Sequence, residues 1–184
     1  MIYRPEIDGL RAIAVLPVIF FHAGFEIFRG GFVGVDIFFV ISGYLITLLL
    51  VNDMHDNSFS ILNFYERRAR RLLPALFLVM LICIPFAWLW MLPDALENFG
   101  QSLVANSFFA NNILLYLTSG YWDLHSEFKP LLHTWSLAVE EQFYLFFPLL
   151  LVSVWSLGTR KILWIVILLS VISLLLSEWG WRND

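Results

Sequence analysis

The sequence predicts an all-α polytopic membrane bundle, and three observations predict it. Hydrophobic residues make up 60% of the 184 and charged residues 14%, against about 45–50% and about 25% in soluble domains. Five apolar stretches have the roughly 17–25 residues a helix needs to cross a hydrocarbon core about 30 Å thick. Eight Trp, six Tyr and eighteen Phe supply rings of the kind that settle at membrane interfaces. The same composition excludes a disordered or collagen-like chain, and a net charge of −4 excludes a basic nucleic-acid-binding surface.

The N-terminus, MIYRPEIDGLR, carries two acids beside two arginines. The apolar stretch after it outlasts the h-region of a signal peptide, so it is expected to remain as the first span. The five spans are Ala12–Phe28, Phe32–Val51, Leu72–Leu92, Leu131–Trp155 and Ile162–Glu178. Pro17, Pro85 and Pro148 are expected to kink three of them, because each removes a backbone donor. Cys83, alone in an apolar run, is expected to pack and forms no intrachain disulfide. Asn98, Gln101, Asn106, Asn111 and Asn112 break the segment Ala95–Thr118, which predicts an amphipathic or re-entrant helix and not a full span. The polar breaks Asn52–Arg71 and Pro93–Pro130 read as loops on opposite sides of the membrane.

Cytoplasmic loops carry the excess of Lys and Arg. With the N-terminus inside, the five-span topology puts Arg4, Arg11, Arg67, Arg68, Arg70, Arg71, Arg160 and Lys161 on the inner side. Only Arg29, Lys129 and Arg182 fall outside, eight against three. A sixth span at Ala95–Thr118 would make the ratio seven against four. The sequence therefore predicts a multi-pass protein of the inner or plasma membrane with a cytoplasmic N-terminus, in contact with membrane lipids.

The interruptions within the spans are the candidate site. A charge at mid-bilayer costs roughly 2.5–3.5 kcal/mol on insertion scales, so ionisable groups there are candidates for function. Arg11 and His22 are separated by about three helical turns plus 20°, so they share a face about 16 Å apart. Asp36 lies at a similar expected depth to His22 across a short Gly30–Gly31 turn, where a carboxylate would orient the imidazole and raise its basicity. His133, Ser136, Glu140 and Tyr144 form one polar stripe, with Glu141 to the side. The two acids stand about 12–14 Å below the outer end of that helix; one is expected to be protonated or paired. The run RRARR, Arg67–Arg71, has four Arg and no Lys. It fits bidentate phosphate recognition as well as simple orientation by charge.

These residues carry a resemblance. The blocks YRPEIDGLRAIAVLPVIFFHAG (Tyr3–Gly24), GGFVGVDIFFVISGYLIT (Gly30–Thr47), FYERRARRLLPAL (Phe64–Leu76) and LLHTWSLAVEEQFYLFFPLLL (Leu131–Leu151) resemble the membrane-bound acyltransferase 3 family of cell-envelope acyltransferases. The family's Arg-x10-His pattern falls on Arg11 and His22. Its Arg-x-x-Arg element falls on Arg67/Arg70 or Arg68/Arg71, in either frame. The resemblance implies transfer of an acyl group, commonly acetyl, from acyl-coenzyme A to an extracytoplasmic glycan such as lipopolysaccharide O-antigen or peptidoglycan. It implies no permanently bound cofactor: acyl-CoA, acetyl-CoA in the commonest case, is a cosubstrate. Residues 1–184 correspond to the N-terminal part of the family's membrane domain; members usually carry further C-terminal helices and some an esterase-like domain.

On this reading Arg11 and Arg67–Arg71 bind the donor. His22, poised by Asp36, is the base or the acyl carrier. Glu140 and Glu141 relay the proton or bind sugar hydroxyls, with His133, Ser136 and Tyr144 in support. No metal site is expected, since the histidines and acids lack ligand spacing. The same buried charges would also serve a transporter or a proton or ion path, and the inverted repeats or paired broken helices that favour a transporter are not visible in the sequence.

Overall fold

A computed structural model of the chain describes residues 5–118 and 129–183. These form α1 (Pro5–His22), α2 (Gly34–His55), α3 (Ile61–Trp90), α4 (Pro93–Ser107), α5 (Asn111–Leu117), α6 (Thr134–Val154) and α7 (Thr159–Asn183), joined by turns and short 3₁₀ segments. No strand occurs among the described residues. Among the described residues four helical stretches, those built on α2, α3, α6 and α7, are long and apolar enough to cross a membrane.

The fifth expected span is α1, and it is shorter than the apolar run suggests. Glu6, Asp8 and Arg11 occupy its first half. The apolar remainder, Ala12–His22, reaches about 16 Å at 1.5 Å per residue, half of a core about 30 Å thick. The helix stops at His22 because Gly24 takes a left-handed conformation (φ 82°). The Gly24 amide then bonds the Phe21 carbonyl, the Phe25 amide bonds the Phe20 carbonyl, and the Phe20 and Phe25 rings meet edge to face at 5.5 Å. This is a Schellman cap with its apolar contact.

The link from Ala23 to Val33 folds back along α1 before α2 begins. A Cβ placed on Gly31 would strike the Pro17 carbonyl, and one on Gly34 the Ala14 carbonyl. Only glycine allows two helix backbones to approach this closely. We therefore predict that Gly34→Ala forces α1 and α2 apart and destabilises the protein by about 1–3 kcal/mol, read as a lowered thermal midpoint in detergent.

The expected loop Asn52–Arg71 is mostly helix. α2 runs on to His55, and α3 begins at Ile61 because Ser60 caps it, its Oγ accepting from the Asn63 amide at 3.4 Å. The arginine run thus stands on α3 itself. The 30 residues of α3 extend about 45 Å. Pro17, Pro74, Pro85 and Pro148 all lie inside helices.

The segment read as amphipathic or re-entrant forms two helices, α4 and α5, of 15 and seven residues, each short of the ~20 a span requires. Phe109, at φ 51°, separates them. α4 folds back along α3: Phe99 joins Leu76, Met80, Ala87 and Leu131 in a buried cluster, with Cys83 and Leu103 packed against it. Cys83 packs as expected.

The chain divides into two compact units, Met1–Phe143 and Tyr144–Asp184. The second holds the remainder of α6 and α7, whose leucines and tryptophans, among them Leu168, Leu174 and Trp179, are exposed. A helix with so many exposed apolar side chains is suited to a lipid surrounding.

Candidate active site

Arg11, Val15, Val18 and His22 recur at helical spacing along one face of α1. At the end of that face the His22 Nδ1–H donates to the Val18 carbonyl at 2.8 Å, which leaves Nε2 as the unprotonated nitrogen of the neutral ring. The His133 ring stands edge to face with His22 at 4.4 Å between centroids, and the Phe21 ring flanks it at 5.0 Å. Both histidines are exposed.

Asp36 is not the partner of His22. The close approaches of Gly31 to Pro17 and of Gly34 to Ala14 fix an antiparallel register that puts Asp36 level with Ala12. That is about 15 Å along α1 from His22. The expectation assumed a tight turn at Gly30–Gly31; the chain folds back before α2 starts, so α2 begins deeper. The backbone carbonyl of Val18 orients the imidazole, the role assigned to the Asp36 carboxylate.

A cavity of about 290 Å³ runs beside the face that joins Arg11 to His22. Val15, Val18 and Ile19 of α1, Gly34, Val35, Phe38 and Phe39 of α2, and Ser136, Leu137 and Glu140 of α6 line it. Its wall is apolar except for Ser136, whose hydroxyl donates to the His133 carbonyl at 3.1 Å, and Glu140. Beyond the cavity the Arg11 guanidinium lies 5.2 Å from the centre of the Phe38 ring and 3.9 Å from Asp8. Its Nε is buried and has no hydrogen-bond partner among the described residues.

The arginines of α3 differ in their surroundings. Arg67 reaches Asp53 of α2 at 3.6 Å, and Arg70 reaches Glu66 one turn earlier at 2.6 Å. Arg68 turns to α6: its Nε donates to Glu141 at 3.2 Å, and its terminal nitrogen lies 3.7 Å from Glu140. The two acids are therefore paired, one of the expected alternatives. Their level against α3 follows from this contact. Arg68 stands about 33 Å along α3 from Trp90, whereas Glu141 is only about 10 Å into α6. Contact between them puts the start of α6 well below the end of α3. The acids lie towards the arginine end of the site. Tyr144, buried, opens the second unit.

Sequence reasoning missed the polar network that holds the start of α6 in place. Asn111, fully buried, donates to the Leu131 carbonyl at 3.0 Å and the Thr134 hydroxyl at 2.8 Å. Asn112 and Gln142 exchange amide hydrogen bonds at 3.2 and 2.9 Å, and Gln142 also donates to the Phe109 carbonyl at 2.8 Å. The only signal was the set of amides that marked the segment as not a simple span. Gln142→Leu should cost about 1–3 kcal/mol of stability, because Asn112 and the Phe109 carbonyl lose their partner in a part-buried place; a detergent melting curve measures it.

A family described as acyltransferase domain matches residues 4–183. The peptidoglycan O-acetyltransferase OatA of Listeria monocytogenes is 41% identical over 175 residues, which is 93% of this chain and 28% of that protein. O-acetyltransferase OatA of Staphylococcus aureus is 38% identical over 94% of this chain and 29% of its own length. A putative O-acetyltransferase of Staphylococcus aureus is 44% identical over 83% of this chain and 25% of its own. The chain spans between 25% and 29% of the length of these curated relatives. No solved structure matches it.

Proposed function

The chain belongs to the acyltransferase domain family, and from that premise we propose that it is the N-terminal part of the membrane domain of an O-acetyltransferase acting on a cell-wall glycan. The donor on this reading is acetyl-CoA and the acceptor a peptidoglycan sugar hydroxyl. The names of the relatives support O-acetylation and, for one of them, peptidoglycan.

One observation carries the reading: an apolar cavity of about 290 Å³ lies beside a helix face that ends in Arg11 on one side and His22 on the other. A guanidinium suits a phosphate, an apolar passage suits the arm behind it, and an imidazole with a free Nε2 suits proton transfer. Nε2 of His22 takes the proton of the acceptor hydroxyl as its oxygen attacks the thioester carbonyl. The C–S bond then breaks, and the thiolate leaves with the proton that the imidazolium returns. Asp36, level with Ala12, has no part in this transfer. The test is direct: membranes holding the intact protein should move radiolabelled acetyl from acetyl-CoA onto peptidoglycan glycan as an alkali-labile ester. A glycan that stays unlabelled contradicts the proposal.

The orientation proposed with this function puts the N-terminus and Arg67–Arg71 in the cytoplasm, on the basic asymmetry of the loops. Ser58 and Asp94 flank opposite ends of α3. In a Cys83→Ala background, Ser58→Cys and Asp94→Cys should react with an impermeant thiol reagent from opposite sides. Labelling of both from one side contradicts the topology.

A further inference from the structure

The four arginines of Arg67–Arg71 do not have equal access to a ligand. Arg68 is 19% exposed and is held by two carboxylates, Glu140 and Glu141, that are 11% and 9% exposed. With both acids ionised the trio carries a net negative charge. A phosphate arriving at Arg68 would have to displace a carboxylate and leave it unpaired where desolvation is costly. Arg71 is three residues on, on the same face of α3, and is exposed. It lies within electrostatic reach of Glu141, with no ion pair or hydrogen bond among the described residues. Its guanidinium donors are available in a way that those of Arg68 are not.

Glu140 has a second face. Besides meeting Arg68, it lines the cavity one helical turn from Ser136 and opposite Val15 and Val18. Glu140 and Ser136 are the polar groups of that wall, and the amide groups of a pantetheine arm need such partners when they leave water.

Building on the donor reading above, we infer that Arg68 is a positioning residue that acts through Glu140, and that Arg71 is the guanidinium of this run that takes a donor phosphate. Arg68 fixes the Glu140 carboxylate in the cavity wall, so the arm is aligned and the acyl carbon is delivered to His22. Arg71 contributes to holding the donor and not to aligning it. The choice left open by the Arg-x-x-Arg spacing is thereby resolved in favour of the Arg68/Arg71 frame, with unlike roles for its two members.

Steady-state kinetics of the intact protein with acetyl-CoA, alongside equilibrium binding of radiolabelled acetyl-CoA, test this. Arg68→Gln combined with Glu141→Gln keeps the formal charge of the cluster, and its folding is checked by thermal midpoint in detergent. It should lower kcat about 10–100-fold through misalignment, with KM and Kd for acetyl-CoA within about twofold of wild type. Arg68→Lys, which can still hold one carboxylate, should recover part of that loss. Arg71→Gln should raise KM and Kd for acetyl-CoA about tenfold or more with kcat nearly unchanged. The inference is overturned if the Arg68→Gln/Glu141→Gln protein loses donor affinity as Arg71→Gln does while keeping kcat, or if Arg71→Gln leaves donor affinity intact. A wild-type protein that binds no acetyl-CoA would instead overturn the proposed function, and this inference with it.

Discussion

His22→Ala in the intact protein should abolish acetyl transfer while leaving expression and membrane insertion unchanged. The ring is exposed, and its hydrogen bond is a local one to the carbonyl of Val18, so little packing depends on it. Loss of general-base help costs about 10²–10⁴-fold. If His22 instead carries the acyl group covalently, its removal leaves essentially nothing. The size of the residual rate therefore separates the two roles. Asp36→Asn should be nearly silent in the same assay, since Val18 and not Asp36 sets the tautomer of His22. An Asp36→Asn protein as inactive as His22→Ala would show that the α1–α2 register assigned above is wrong.

Arg68→Ala should have the largest effect on stability, about 3–5 kcal/mol, the cost of leaving partly buried charges without their partner. It strips the only ion-pair partner recorded for Glu141 among the described residues. Arg70→Ala is the control on the same helix. Its pair with Glu66 is surface-exposed, 79% and 56% on the two sides, and such pairs contribute about 0–1 kcal/mol. Chemical unfolding in detergent compares the two. Equal melting of Arg68→Ala and Arg70→Ala would remove the distinction between a clamp and a surface pair.

Much of the bundle was legible because crossing a membrane demands long apolar runs, and α2, α3, α6 and α7 are such runs. α1 is shorter than its apolar run implies for a local reason: the run continues past His22, but Gly24 caps the helix there. That single stop shifted the register of everything joined to it and moved Asp36 away from His22. Hydropathy puts the start of α3 too late because it hides Ser60, whose capping hydroxyl begins the helix ten residues before the arginines end. The Arg11–His22 face was readable from spacing alone, since both residues lie on one uninterrupted helix. The Arg68 clamp was not, because it joins residues 73 apart in sequence, and neither the pairing nor the recessed start of α6 leaves a periodic trace. The amides of α5 were visible, but their partners on α6 were not.

In the proposed function the face from Arg11 to His22 delivers an acyl group from one side of the membrane to a hydroxyl on the other. Intact protein in sealed liposomes isolates it, with radiolabelled acetyl-CoA confined to one side and a soluble peptidoglycan oligomer to the other. The account predicts alkali-labile acetyl ester on the glycan only when the donor is on the side of Arg67–Arg71, with His22→Ala at no more than about one-hundredth of the wild-type rate. Ester formed by the His22→Ala protein at the wild-type rate, or formed equally from either side, would contradict it.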